Sequence, residues 1–171
     1  CDHFTQGDLM DYDTVYTFGK KVDILTFEIE GVNIEALEAL EKEGKKVYPS
    51  SKTLRKIQDK GVQKKFYDTH KIPTAPFSVF ETIALVKKAV ASGELKLPFV
   101  WKSCTGGYDG KGVQVIKNSQ TLDVLPDCPC ITEELVAFQN ELAVIAVRNP
   151  SAQAKTSPVV EMEFHTKAHH L

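Results

Sequence analysis

No stretch of this chain is apolar for long enough to cross a bilayer as a helix, so a helical membrane protein is not indicated. The opening segment, CDHFTQGDLMDYD, lacks both the basic start and the apolar centre of a secretory leader, and it begins on Cys1 rather than Met. A surplus of positive charge is also missing. With 21 Lys and Arg against 23 Asp and Glu, the formal net charge is −2, which is not the balance of a dedicated nucleic-acid binder. Cysteine is sparse: Cys1, Cys104, Cys128 and Cys130. Cys128-Pro129-Cys130 is too close-set for a disulfide between those two residues. No CxxC pair or spaced histidine cluster marks a zinc site, and nothing draws His169 or His170 towards Cys128. Reduced structural thiols in a cytosolic protein are the expectation. Internal repeats and low-complexity tracts are absent.

What remains is the composition of an ordinary globular chain: 171 residues, 42% apolar and 26% charged, enough for one domain or two small ones. VDILTFEI (22–29) is a mostly apolar, β-branched run and reads as a buried strand. Asn33 caps a helix over IEALEALEKE, with Ile34, Leu37 and Leu40 at helical spacing and Gly44 as its stop. KVYP follows as a short strand, and this strand–helix–strand rhythm predicts parallel pairing. SSKTLRKIQDKGVQKKFYDTHK reads as two short helices, capped by Ser50 or Ser51 and by Asp59. Ile72-Pro73 and Ala75-Pro76 then break the helical pattern and mark the best boundary in the chain.

The second unit predicts α+β: a small, largely antiparallel sheet with two helices. APFSVF, LPFVWKS, GVQVIKN, CPCITEELV and ELAVIAVRN read as strands. ETIALVKKAVASG reads as a helix with Ile83, Val86 and Val90 on one face and Gly93 at its end. Ser119 caps QTLDVL, AFQN links the last two strands, and PVVEMEFHTKAHHL opens a further strand.

Within PFVWKSCTGGYDGKGVQVIKN (98–118), two strand-like runs flank four glycines: Gly106, Gly107, Gly110 and Gly112. A Walker-type phosphate loop fails here, because Thr105 stands at its first glycine and Gly112 where Ser or Thr would hold magnesium. The dinucleotide fingerprint fails at Val115. Both motifs also demand a following helix, whereas VQVI continues as a strand. The loop is therefore a hairpin tip. Without a helix dipole, it could still fold over phosphates as a flap, offering bare backbone N–H groups, with Lys102 and Lys111 as cationic donors. The plain alternative is a flexible hairpin with solvated lysines. Four glycines bracketed by lysines favour phosphate binding. Downstream, Glu133, Glu134 and Glu141 are either solvent-facing charges, or an adenine-binding linker followed by a ribose-binding carboxylate.

The ordered set TFEIEGVNIEALEAL, IQDKGVQKKF, IPTAPF, GGYDGKGV, EELVAFQNELAVI and PVVEM, from about Val22 to Glu161, resembles the N5-carboxyaminoimidazole ribonucleotide synthetases, ATP-grasp enzymes of purine biosynthesis. The resemblance implies an ATP-grasp fold: the end of a parallel α/β pre-ATP-grasp domain over 1–48, connecting helices over 49–75, a lid with a glycine-rich flap over 76–148, and the start of a third domain over 149–171. It implies a cytoplasmic ligase that uses ATP, magnesium and bicarbonate to carboxylate 5-aminoimidazole ribonucleotide, with no nucleic-acid or membrane partner and a homodimeric intact parent.

Position by position, Lys60 matches a basic nucleotide contact, and Lys102 matches the lysine that reaches the ATP phosphates. Gly107, Tyr108, Asp109, Gly110, Lys111, Gly112 and Val113 match the flap. Glu133, Glu134, Leu135 and Val136 match the adenine linker, and Glu141 matches the ribose carboxylate. Cys104 lies where the family usually carries an arginine nearby. The family's initial glycine-rich turn and its magnesium-binding carboxylates have no counterpart here, so the chain reads as a central fragment, inactive alone. Another ATP-grasp ligase, such as a formate-using glycinamide ribonucleotide enzyme or a biotin carboxylase, and a non-catalytic nucleotide-binding module are the competing readings.

Overall fold

The structure is a computed structural model that describes residues 3–107 and 112–162. Its first half is built around one apolar cluster. Helix α1 (Tyr12–Lys20) starts at Asp11, whose side chain accepts a hydrogen bond from the Thr14 backbone N–H at 2.8 Å. Helix α2 (Ile34–Lys42) starts at Asn33, whose side-chain oxygen accepts from Ala36 N–H. The Asn33 amide also donates to Met10 O, tying the chain before α1 to the start of α2. Between them lies strand β1 (Ile24–Thr26), which pairs in parallel with β2 (Lys46–Tyr48), Leu25 opposite Val47. Leu37 and Leu40 of α2 are fully buried with Val15, Leu25, Val47 and Leu54.

Sequence and structure differ in several places here and beyond. The strand expected over 22–29 is only three residues long, because Phe27 onward turns into the loop before Asn33. Helix α1 was not anticipated. Its signal is one Asp cap followed by β-branched and aromatic residues of modest helix propensity, and what holds it is packing. At Gly19 a Cβ would lie 2.2 Å from Leu40 Cδ1, so α1 and α2 touch through bare backbone. ELAVIAVRN divides into two strands rather than one.

Helices α3 (Ser51–Gln58) and α4 (Lys60–Thr69) are separated by a single residue. Asp59 adopts an extended conformation and caps α4 by accepting from Val62 N–H at 2.9 Å, so the chain turns there without a loop. Ser50, not Ser51, caps α3.

The second half is a four-stranded antiparallel sheet, in the order β3 (Phe77–Phe80), β6 (Cys130–Glu134), β4 (Phe99–Ser103), β5 (Val113–Ile116). Side chains alternate across it. Phe99, Trp101, Ile116 and Cys130 face Ile83 and Val86 of α5 (Ile83–Ser92) and Leu122 of a 3-10 turn (Ser119–Asp123), forming a second core. Thr82 caps α5 and Gly93 ends it at φ +78. Asn118, rather than Ser119, caps the 3-10 turn, accepting from Thr121 N–H. The other face carries Val100, Lys102, Val113, Val115, Ile131 and Glu133 by register. Helix α4 covers its β3–β6 half and leaves the β4–β5 half open.

Beyond β6, β7 (Glu141–Ala143) pairs with β10 (Val160–Met162), and β8 (Ala146–Arg148) pairs with β9 (Ala154–Thr156). No helix of the described residues is long and apolar enough to cross a membrane.

Candidate functional site

The open half of the sheet meets the glycine loop. Strands β4 and β5 close the loop at its base, where Ser103 N–H donates to Gly112 O at 2.9 Å. Gly112 takes φ +71, and a Cβ there would meet Ser103 Oγ at 2.4 Å. Tyr108, Asp109, Gly110 and Lys111 lie outside the described residues.

Helix α4 docks on the near side of this loop. Lys60 N–H donates to Cys104 O at 2.8 Å, and Lys60 Nζ donates to Gly107 O at 3.3 Å. Gly61 follows in a close-packed spot, where a Cβ would stand 3.2 Å from Cys104 Sγ. Lys60 thus touches the loop on which its role depends.

Lys102 lies two residues before Cys104 on β4. Its ammonium pairs with Oε2 of Glu133 on the neighbouring strand β6, a diagonal that long side chains span easily. The other oxygen, Oε1, is held by Lys64 Nζ. The three side chains differ in access: Glu133 is 8% exposed, Lys64 10% and Lys102 28%. Lys64 also donates to Thr74 Oγ1 and sits 5.7 Å from the Phe77 ring centroid. Two lysines on one carboxylate leave the trio with a net charge of +1 at neutral pH, directed outward through Lys102. Burial opposes ionisation of Glu133 and is the largest influence on it. The hydrogen bonds and charges of Lys102 and Lys64 outweigh it together and hold the carboxyl below its usual value of 4.5.

Beside Lys102, the exposed side chains of Val113 and Val115, with half-buried Val100, form a flat apolar strip. Cations, bare loop backbone and an apolar platform are together suited to a ligand with a phosphate end and a flat ring.

The remaining predicted residues are spread along the exit of β6. Glu134 N–H donates to Pro76 O at 3.0 Å, and its side chain is exposed. Leu135 and Val136 follow as exposed non-strand chain. Glu141 lies on β7, opposite Met162, in a different sheet from Lys102. Glu133 is therefore both the first residue of the predicted linker and an internal anchor of the lysines.

Sequence reasoning missed Lys64. The signal was present: once Lys60 opens a helix facing the loop, the residue four positions on lies on the same face. A second feature was also missed. A cavity of about 400 Å³ lies between the loop 29–31, Gln58 and Thr105–Gly107. Gln58 shapes it by donating to Glu30 O and Val32 O.

Among the described residues, no group of three or more His, Cys, Asp or Glu side chains could hold a metal ion. The described cysteines are free. Burial pushes the thiols of Cys104 and Cys128 up, and that of Cys130 up to about 11, so they remain protonated.

A short parallel α/β unit, two capped helices and an antiparallel sheet with Lys60 and Lys102 at the base of its glycine hairpin define the class: an ATP-grasp fold preceded by its pre-ATP-grasp unit. The chain belongs to the ATP-grasp family, whose domain model matches residues 65–170, while a ribonucleotide synthetase preATP-grasp domain model matches residues 1–58.

The chain is 37% identical over 147 residues to an N5-carboxyaminoimidazole ribonucleotide synthase of Bacillus subtilis, an alignment covering 84% of this chain and 38% of that protein. Two crystal structures from Aspergillus clavatus are similar in fold. A carboxyaminoimidazole ribonucleotide synthase complexed with ATP aligns with a TM-score of 0.84 and 31% identity, over 93% of this chain and 42% of that one. An N5-carboxyaminoimidazole synthase in complex with ADP and 5-aminoimidazole ribonucleotide aligns with a TM-score of 0.81 and 29% identity, over 94% and 42%. The chain thus spans about two-fifths of the length of these relatives.

Proposed function

We propose that the protein carrying this chain carboxylates 5-aminoimidazole ribonucleotide with bicarbonate at the expense of ATP, giving N5-carboxyaminoimidazole ribonucleotide, ADP and phosphate. The observation that carries the nucleotide half is the placement of two cations about the glycine hairpin: Lys60 bonded to Gly107, and Lys102 on β4 before the loop, paired with Glu133 and beside the Val113–Val115 strip. Similarity to N5-carboxyaminoimidazole ribonucleotide synthases, one of them in complex with ADP and 5-aminoimidazole ribonucleotide, supports the substrate half.

In the reaction, a bicarbonate oxygen attacks the γ-phosphorus of ATP and ADP leaves. The exocyclic amine then attacks the carbonyl carbon of carboxyphosphate, or of the CO2 released from it, and phosphate leaves. ATP here turns an unreactive anion into an electrophile. Lys102 and the hairpin N–H groups supply donors where phosphoryl charge shifts. Lys60 holds the loop's near end, the segment 133–136 presents backbone to the adenine edge, and Glu141 receives the ribose hydroxyls. The cavity beside Gly106 and Gly107 is where the ribonucleotide would face the transferred group. Magnesium is the metal this chemistry uses, and the residues described here do not enclose it.

On this reading the chain comprises a pre-ATP-grasp part to about residue 48, connecting helices to 75, a lid to 148 and the start of a third domain. It serves as part of a cytoplasmic homodimer and does not catalyse alone.

The test is phosphate release from ATP, with bicarbonate, by a polypeptide of the relatives' full length that includes this chain. The 171-residue chain runs alongside. Release should rise on adding the ribonucleotide and vanish with Lys102→Ala. No response to the ribonucleotide would move the assignment to another ATP-grasp ligase.

A further inference from the structure

Lys64 is an unusual residue to find enclosed. A lysine taken out of water needs a partner, and this one has two, Glu133 Oε1 at 2.5 Å and Thr74 Oγ1. Nothing in the nucleotide reading requires it. It lies under α4, on the covered half of the same sheet face, and Glu133 stands between it and Lys102 on the open half.

Without Lys64, Glu133 and Lys102 would form a neutral pair, and an incoming phosphate would have to take Lys102 away from a carboxylate that offers no compensating charge. With Lys64 in place, the carboxylate is already neutralised from behind. The trio carries +1, and Lys102, the more accessible of its two lysines, holds that charge on β4 just before the loop.

We propose that Lys64 is a positioning residue for nucleotide phosphate: it neutralises and anchors Glu133 from the buried side, so that Lys102 keeps a net positive charge for the ligand. This rests on the nucleotide-binding reading above and adds to it a residue that never touches the ligand. Thr74 belongs to the device. Its hydroxyl accepts a hydrogen bond from the Lys64 ammonium, which fixes the ammonium near Phe77 and keeps it from following a phosphate outward.

Charge arithmetic separates this role from packing. Wild type carries +1 in the trio, Lys64→Met carries 0, and Lys64→Met combined with Glu133→Gln carries +1 again. Binding of ATP and of adenosine is measured by titration calorimetry at two salt concentrations. The protein is a polypeptide of the relatives' full length that includes this chain.

Lys64→Met should weaken ATP about tenfold, as expected for one lost charge near a phosphate site. It should change adenosine less than about twofold and flatten the salt dependence of ATP binding. The double variant should return ATP affinity to within about threefold of wild type, and Lys64→Arg should retain most of it. If Lys64→Met does not fold, the double variant and Lys64→Arg carry the comparison with wild type.

Unchanged ATP affinity in Lys64→Met overturns the proposal. So do equal losses for ATP and adenosine, or a double variant that stays tenfold weak. A wild-type protein that binds neither ligand overturns the nucleotide reading itself, and this inference with it. Wild-type ATP binding with an unaffected Lys64→Met overturns this inference alone.

Discussion

At the scale of single residues, Glu133 is the most consequential side chain outside the loop. Its carboxyl is held below its ordinary value of 4.5, against burial, by Lys102 and Lys64. A carboxyl whose folded value is depressed binds protons more readily in the unfolded chain. Its stabilising contribution is therefore complete above the ordinary value and is lost as pH falls through the lower folded one. Thermal melts from about pH 6 down to about pH 3 should show a loss of stability that Glu133→Gln does not share. At neutral pH that variant should be the less stable protein, since two lysines would then face each other unpaired. Equal slopes for the two proteins would show that the acid sensitivity lies elsewhere. Lys64 shows why such a residue escapes notice in a sequence. Its neighbours Lys60 and Lys65 are also lysines, and only burial distinguishes it.

At the scale of elements, the hairpin β4–β5 and the break between α3 and α4 position the site. Gly112 and Gly93 both take positive φ, at +71 and +78, but only Gly112 is crowded: Ser103 Oγ would lie 2.4 Å and Gly107 Cα 3.2 Å from its Cβ. Around Gly93 nothing stands within 4 Å. Gly93→Ala should therefore cost only the backbone strain, about 1–2 kcal/mol. Gly112→Ala should cost more, because Ser103 or the loop must shift as well. Chemical denaturation of the two variants checks this, and nucleotide affinity should fall for Gly112→Ala alone. A smaller cost at Gly112 than at Gly93 would contradict the packing of the loop base. The element pattern itself could largely be read beforehand. Asn33, Asp59 and Gly93 mark helix ends through local hydrogen bonds and backbone preference. Helix α1 could not be, because its stability comes from Gly19 lying against Leu40, a contact between segments with no local signature.

At the scale of the whole molecule, two apolar clusters share no buried residue: one around Leu37 and Leu40, the other around Phe99 and Trp101. Trp101 is the sole tryptophan, so its fluorescence reports the second cluster alone. Leu37→Ala should remove about 2–5 kcal/mol from the first cluster. The far-UV transition should then broaden or split, while the Trp101 emission midpoint shifts much less. Equal shifts by both probes would mean that α3 and α4 couple the two halves into one cooperative unit. Phe138, Leu142, Ile145, Val147 and Val159 of the last segment are all exposed, and the short strands β7–β10 hold little core of their own.

The sequence by itself determined the parallel strand–helix–strand unit, the antiparallel sheet, the glycine hairpin and the family resemblance, because these rest on periodicity, capping and ordered motifs that are local in the chain. Only the tertiary structure decided that Lys60 meets Gly107, that Lys64 and Lys102 share Glu133 across a sheet, and that Glu141 lies in a separate pair of strands. Those relations depend on which face of a strand a helix covers. Residues 60 and 64 share one helix but are remote in sequence from 102 and 133, and the charges acquire distinct roles only when burial makes Lys64 a fixed anchor and leaves Lys102 the more accessible.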